Sequence, residues 1–134
     1  MSKLETIEGV GPAITEKLEK AGIKSCESLL EKGATKKGRS EIAGASGISD
    51  GQILKFVNHA DLMRIKGIGG EYSELLECAG VDSVPELAQR NAANLTEKMA
   101  SVNAEKKLVR ALPSEKQVTD WVKQAGSLDK IVTH

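Results

Sequence analysis

The chain has 134 residues, with 19 basic and 19 acidic side chains that leave no formal net charge, and only three aromatics, Phe56, Tyr72 and Trp121. That length allows one ordinary domain or two very small ones, burying roughly 68% of the unfolded chain's surface. Zero net charge excludes a polycation that coats nucleic acid, and a core almost without aromatics must be built from Leu, Ile, Val, Ala and Met, which suits closely packed helices.

In chain order, a tight turn at Glu8 to Gly11 leads into a predicted helix from Pro12 to about Ala21. Proline fits the first turn because its missing N–H would be unpaired there. Ile14, Leu18 and Ala21 give the helix one apolar stripe, and Gly22 supplies the left-handed residue that ends it. Ser25 begins a short connecting helix that stops near Gly33. A third helix follows over roughly Lys37 to Ala45, then a weaker turn at Ser46-Gly47-Ile48.

Ser49-Asp50-Gly51-Gln52 has the spacing of a capping box and opens a helix with Ile53, Phe56, Val57 and Ala60 on its apolar face. A second glycine turn begins near Ile65. Ser83-Val84-Pro85-Glu86 and Ser114-Glu115-Lys116-Gln117 repeat the box spacing, and the latter precedes Val118, Trp121, Val122 and Ala125. Phe56, Met63, Met99 and Trp121 are expected in the core. Between Asn91 and Leu112 the helices are less clearly marked, with Asn94 and Asn103 as candidate caps.

The second half restates the first. Ile7-Glu8-Gly9-Val10-Gly11-Pro12 returns as Ile65-Lys66-Gly67-Ile68-Gly69-Gly70. Leu18, Ala21, Gly22, Ile23, Ser25 and Leu29 return as Leu76, Ala79, Gly80, Val81, Ser83 and Leu87, at one ungapped separation. The later capping boxes, Ser49 and Ser114, are seven residues further apart, which places an insertion inside Asn91 to Leu112. The expected fold is all-α: two tandem pseudo-symmetric units, residues 1–60 and 61–134, packed as one compact body.

An apolar-X-Gly-apolar-Gly turn that opens a helix leaves backbone N–H groups unpaired, a geometry suited to gripping phosphate. The candidate donors are Gly9, Val10, Gly11 and Ala13 in the first turn, with Lys17 one helical turn along, and Gly67, Ile68, Gly69 and Gly70 in the second. Lys36, Lys37 and Arg39, with nearby Lys32, form a basic cluster. Lys106, Lys107 and Arg110, with Lys98, form another in the related region. Charge runs of this kind are most often solvated surface.

Catalysis has little support. His59 stands alone near a helix end and His134 is terminal. No Ser/His/Asp or Cys/His set is discernible, and Cys26 and Cys78 lack metal-ligand spacing. The expectation is a non-enzyme without metal or other cofactor. With no apolar run near the ~18 residues of a membrane span, the default is a soluble cytoplasmic protein with no membrane partner.

With these residues in view, "IEGVGPAITEKLEKAGIKSCESLL" and "EIAGASGISDGQILKFVNHA" resemble the double helix-hairpin-helix domain found at recombinase N-termini and in the C-terminal part of bacterial RNA polymerase alpha. The tandem arrangement is similar to an uncharacterised prokaryotic family, domain of unknown function 4332. The resemblance implies double helix-hairpin-helix units whose turns clamp DNA phosphates or serve as structural turns, and whose carbonyls can hold a monovalent cation. DNA-binding members often carry lysine two positions after the second glycine; here those positions are Ala13 and Glu71. The reading is weak, sequence-independent binding of double-stranded DNA, with a protein-interaction adaptor as the alternative.

Overall fold

A computed structural model describes residues 3–134, and every regular element among them is helical. The chain divides into two compact units. The first ends at Asp61 and takes in Ile131–His134; the second is Leu62–Lys130. The sequence reading gave the last residues to the second half, but their bonds tie them to the first. Thr133 N–H donates to the Ala34 carbonyl at 2.8 Å, Arg39 donates to the Thr133 carbonyl at 2.9 Å, and Val132 is buried.

In the first unit a 3-10 turn, Leu4–Thr6, precedes α1, Pro12–Lys20. α1 starts after extended Gly11 and ends where Gly22 takes φ 87°. Ile23 N–H reaches back to the Leu18 carbonyl at 2.9 Å, so an otherwise orphaned helix carbonyl is satisfied. α2, Cys26–Lys32, is capped by Ser25, whose Oγ accepts from Ser28 N–H at 3.1 Å. α3, Lys36–Ser46, runs from a Thr35 cap to left-handed Gly47. α4, Asp50–Leu62, begins at Ser49, whose hydroxyl accepts from Gln52 N–H at 3.3 Å. α1 packs on α3 and α2 on α3, while Leu18, Ile23, Leu29, Ile53 and Val57 are fully buried.

The second unit opens with α5, Gly70–Cys78, which ends in the same way: Gly80 has φ 95° and Val81 N–H reaches the Leu76 carbonyl at 2.9 Å. α6, Val84–Ala88, is capped by Ser83, but the expected reciprocal half of its box is missing. The Glu86 carboxylate instead accepts from Arg90 at 2.9 and 3.2 Å. Ser114 and Gln117 close a complete capping box at the start of α8, Glu115–Gly126.

Between them lies α7, Ala92–Lys106, a continuous helix of 15 residues. Its cap is Asn91, and Asn94 and Asn103 lie inside it rather than at its ends. Asn103 plays a different part, because its carboxamide brackets Val109, donating to the carbonyl at 3.1 Å and accepting from the N–H at 3.0 Å. That pins the return of the chain after Lys107, a non-glycine residue at φ 51°. α8 packs against α6 and α7 around a core that includes Leu76, Leu87, Met99, Val118 and Trp121.

Candidate functional site

The two glycine turns have closely similar backbones. Gly9 and Gly67 take φ 90° and 100°, the left-handed region that L side chains adopt only with strain. On either side, Ile7 with Val10, and Ile65 with Ile68, bury their side chains. Val10 N–H donates to the Ile7 carbonyl at 3.1 Å and Ile68 N–H to the Ile65 carbonyl at 3.2 Å. This corrects the expected donor set. Val10 and Ile68 close the turns and have no N–H left for an anion.

The Gly9 and Gly67 N–H groups stay in the set, and so do those of the helix starts. Gly11 and Gly69 are extended N-cap residues, at φ −95° and −103°, whose carbonyls accept the first helical bonds from Thr15 and Ser73 at 2.9 Å. The Gly11 and Ala13 N–H groups in the first turn, and those of Gly69 and Gly70 in the second, have no hydrogen-bond acceptor among the described residues. They carry the positive end of the helix dipole. Pro12 removes one donor from the first turn, where Gly70 keeps it in the second.

The basic residues separate into those with internal duties and those facing solvent. Arg39 is 5% exposed, and its guanidinium donates to the carbonyls of Gly33, Ala34 and Thr133 at 3.0, 3.2 and 2.9 Å. It is therefore an internal tie, not the expected backbone contact. Lys32 donates to the Gly22 carbonyl at 3.1 Å, and Arg90 does the same for Gly80 at 2.8 Å. Each cation caps the end of a first-turn helix, a role legible only once Lys32 and Arg90 are seen to share the repeat spacing.

Lys17, Lys36, Lys37, Lys106 and Lys107 are exposed. Lys36 lines a cavity of about 200 Å³ with Asp50, Leu54 and His134, away from the first glycine turn. Arg110 is placed differently. It lines a groove of about 420 Å³ with Gly67, Gly69, Gly70, Glu71 and Tyr72. The second turn thus shares a groove with a cationic residue.

Two α8 residues hold that turn, and sequence reasoning assigned neither to it. Gln124 grips Lys66 with both ends of its carboxamide, accepting from the N–H at 2.9 Å and donating to the carbonyl at 3.2 Å. Trp121 packs beneath Gly67 so closely that a Cβ there would meet Nε1 at 2.8 Å. The available signal was the match of Phe56 with Trp121 on the two capping-box helices; Phe56 likewise lies next to Gly9, 4.0 Å from its would-be Cβ.

No set of three or more His, Cys, Asp or Glu among the described residues is placed to hold a metal ion. His59 is fully buried, and His134 meets Asn58 Oδ1 at 3.2 Å. Burial pushes the Cys26 thiol above its ordinary range, with Glu27 adding to this and the Thr6 hydroxyl opposing it. No helix among the described residues is long and apolar enough to cross a membrane.

Fold and site together define an all-helical protein of two compact units, with glycine turns that open α1 and α5. Within that class, the chain belongs to the family described as Domain of unknown function (DUF4332), whose model matches residues 8–128. No curated protein and no solved structure matches it.

Proposed function

We propose that the protein is a small cytoplasmic, non-enzymatic binding module, made of two tandem double helix-hairpin-helix units, that holds the phosphate backbone of double-stranded DNA weakly and without reading bases. The observation that carries this is the groove in which Arg110 joins the free Gly69 and Gly70 amides. Backbone N–H groups at a helix start, with a neighbouring guanidinium, suit a phosphate oxygen and carry no base-edge pattern. Gly11 and Ala13, with exposed Lys17, form the lesser contact. Lys36, Lys37, Lys106 and Lys107 add diffuse attraction.

Glu71 lines the same groove and opposes an incoming phosphate, which keeps the affinity modest. That carboxylate, with the chain's zero net charge, is what favours the second reading: an adaptor for a protein partner that has kept the fold and lost the DNA surface. The decisive variant is Gly69→Val. A Cβ on Gly69 meets nothing within 4 Å and φ is −103°, so the fold persists while the isopropyl group obstructs the amides. Duplex binding lost with an unchanged circular dichroism spectrum supports the phosphate grip. A wild-type chain that ignores duplex at low salt and captures a protein partner supports the adaptor.

A further inference from the structure

The segment Ile131–His134 belongs to the first unit although the whole second unit precedes it in the chain. Its hold there is narrow. Val132 is buried, while Ile131 is half-buried and Thr133 and His134 are exposed. The Thr133 N–H and hydroxyl both donate to the Ala34 carbonyl, at 2.8 and 3.2 Å. Arg39 Nη2 donates to the Thr133 carbonyl at 2.9 Å, and the His134 ring meets Asn58 Oδ1 at 3.2 Å.

The first unit is arranged so that this segment can leave without orphaning buried polar groups. The Ala34 carbonyl also accepts from Arg39 Nη1 at 3.2 Å, and the same nitrogen donates to the Gly33 carbonyl at 3.0 Å. Those bonds do not involve the segment. Arg39 Nη2 and Asn58 Oδ1 do lose their partners. Arg39 and His134, however, line one cavity of about 200 Å³ together with Lys36, Asp50, Gly51 and Leu54. Lifting His134 widens that cavity and admits water to both atoms, so the costly outcome, an unpaired group shut away from solvent, is avoided.

We infer that Ile131–His134 is a releasable strap that masks Arg39, and that its release turns the Arg39 guanidinium into a further phosphate contact. This rests on the phosphate-grip reading of the protein and adds a regulatory device to it. With the strap in place, Arg39 is 5% exposed and its Nη atoms are committed to carbonyls. With the strap lifted, the Nη2 edge is open to solvent in the cavity that exposed Lys36 also lines. Asp50, whose carboxylate accepts from Ser40 Oγ at 3.0 Å, lines that cavity too and opposes a phosphate, which limits the gain to about one contact.

Val132→Gln changes no charge but puts a carboxamide at a position that is 1% exposed, so the strap is expected to lift while the first unit stays folded. The experiment measures binding of a random-sequence duplex across a salt series for the full wild-type chain, for Val132→Gln, and for Val132→Gln combined with Arg39→Ala. Release is expected to steepen the slope of log K against log salt by about 1, and loss of Arg39 to restore the wild-type slope. On titration of the Val132→Gln chain with duplex, the Arg39 Nε–H resonance is expected to shift. In the wild-type chain, the Thr133 amide is expected to exchange about ten-fold or more faster than the Val57 amide, at a rate unaffected by sub-denaturing urea.

If Val132→Gln unfolds the chain, or if the Thr133 amide exchanges only together with Val57, the segment is a fixed part of the core and the inference is overturned. A Val132→Gln chain that binds duplex with the wild-type slope, or a steeper slope that persists without Arg39, also overturns it and leaves the phosphate grip standing. Should the double variant fail to fold, the Arg39 Nε–H resonance decides: a shift supports the contact and a still resonance overturns it. If neither wild type nor Val132→Gln binds duplex at low salt, the DNA reading falls and the inference falls with it.

Discussion

Glycines two residues apart do different work in these turns, and their backbone angles say which. Gly9 and Gly67 hold positive φ, and Gly67 also abuts Trp121; Gly11 and Gly69 are extended with open space around them. Gly67→Val is expected to lose about 2–4 kcal/mol from left-handed strain plus overpacking, measured by urea denaturation. Gly11→Val should lose only about 1 kcal/mol, from a poorer helix cap. Arg39→Ala should destabilise by about 2–3 kcal/mol, since three carbonyls lose a charged donor, and leave the salt dependence of DNA binding unchanged. Cys26 supplies a pH test. Its folded-state pKa is raised, so its contribution is intact below the unfolded thiol's pKa and fades as pH rises through the folded value. Denaturation midpoints should therefore fall above about pH 9. Replacing Cys26 with serine should flatten that alkaline decline; an equally steep decline would remove the thiol as its cause.

At the scale of elements, much was legible because punctuation residues act locally. Pro12 and Gly22 bracket α1, Ser25 and Ser114 cap their helices, and the apolar stripes of α4 and α8 face inward. What sequence could not give depends on contacts between distant residues. Asn94 and Asn103 have the chemistry of caps, but α7 runs through them because Asn91 caps first and Asn103 serves Val109. Glu86 has box spacing yet pairs with Arg90. The candidate site was half legible in the same sense. The glycine pattern identified the turns, while the burial of Arg39 and the approach of Arg110 to the second turn are tertiary facts with no local signature. Arg110→Ala accordingly belongs at this scale: it should leave the melting temperature nearly unchanged and reduce the slope of log K against log salt by about 1.

For the whole molecule, charge balance decides what kind of binding is possible. With 19 cations against 19 anions, no long-range field draws in a polyanion, so affinity must come from a few close contacts with phosphates. The C-terminal residues matter to the first unit's integrity, because Val132 is buried and Thr133 accepts from Arg39. Deleting Ile131–His134 should lower the melting temperature through loss of these contacts, an effect that calorimetry would detect.

The most direct measurement is fluorescence anisotropy of a labelled random-sequence duplex, titrated with the wild-type chain across a salt series. A grip on two to four phosphates predicts micromolar or weaker binding that falls linearly in log–log form with a slope of about −2 to −4, indifferent to base sequence. Absence of binding at about 50 mM salt, or affinity that holds steady as salt rises, would contradict it.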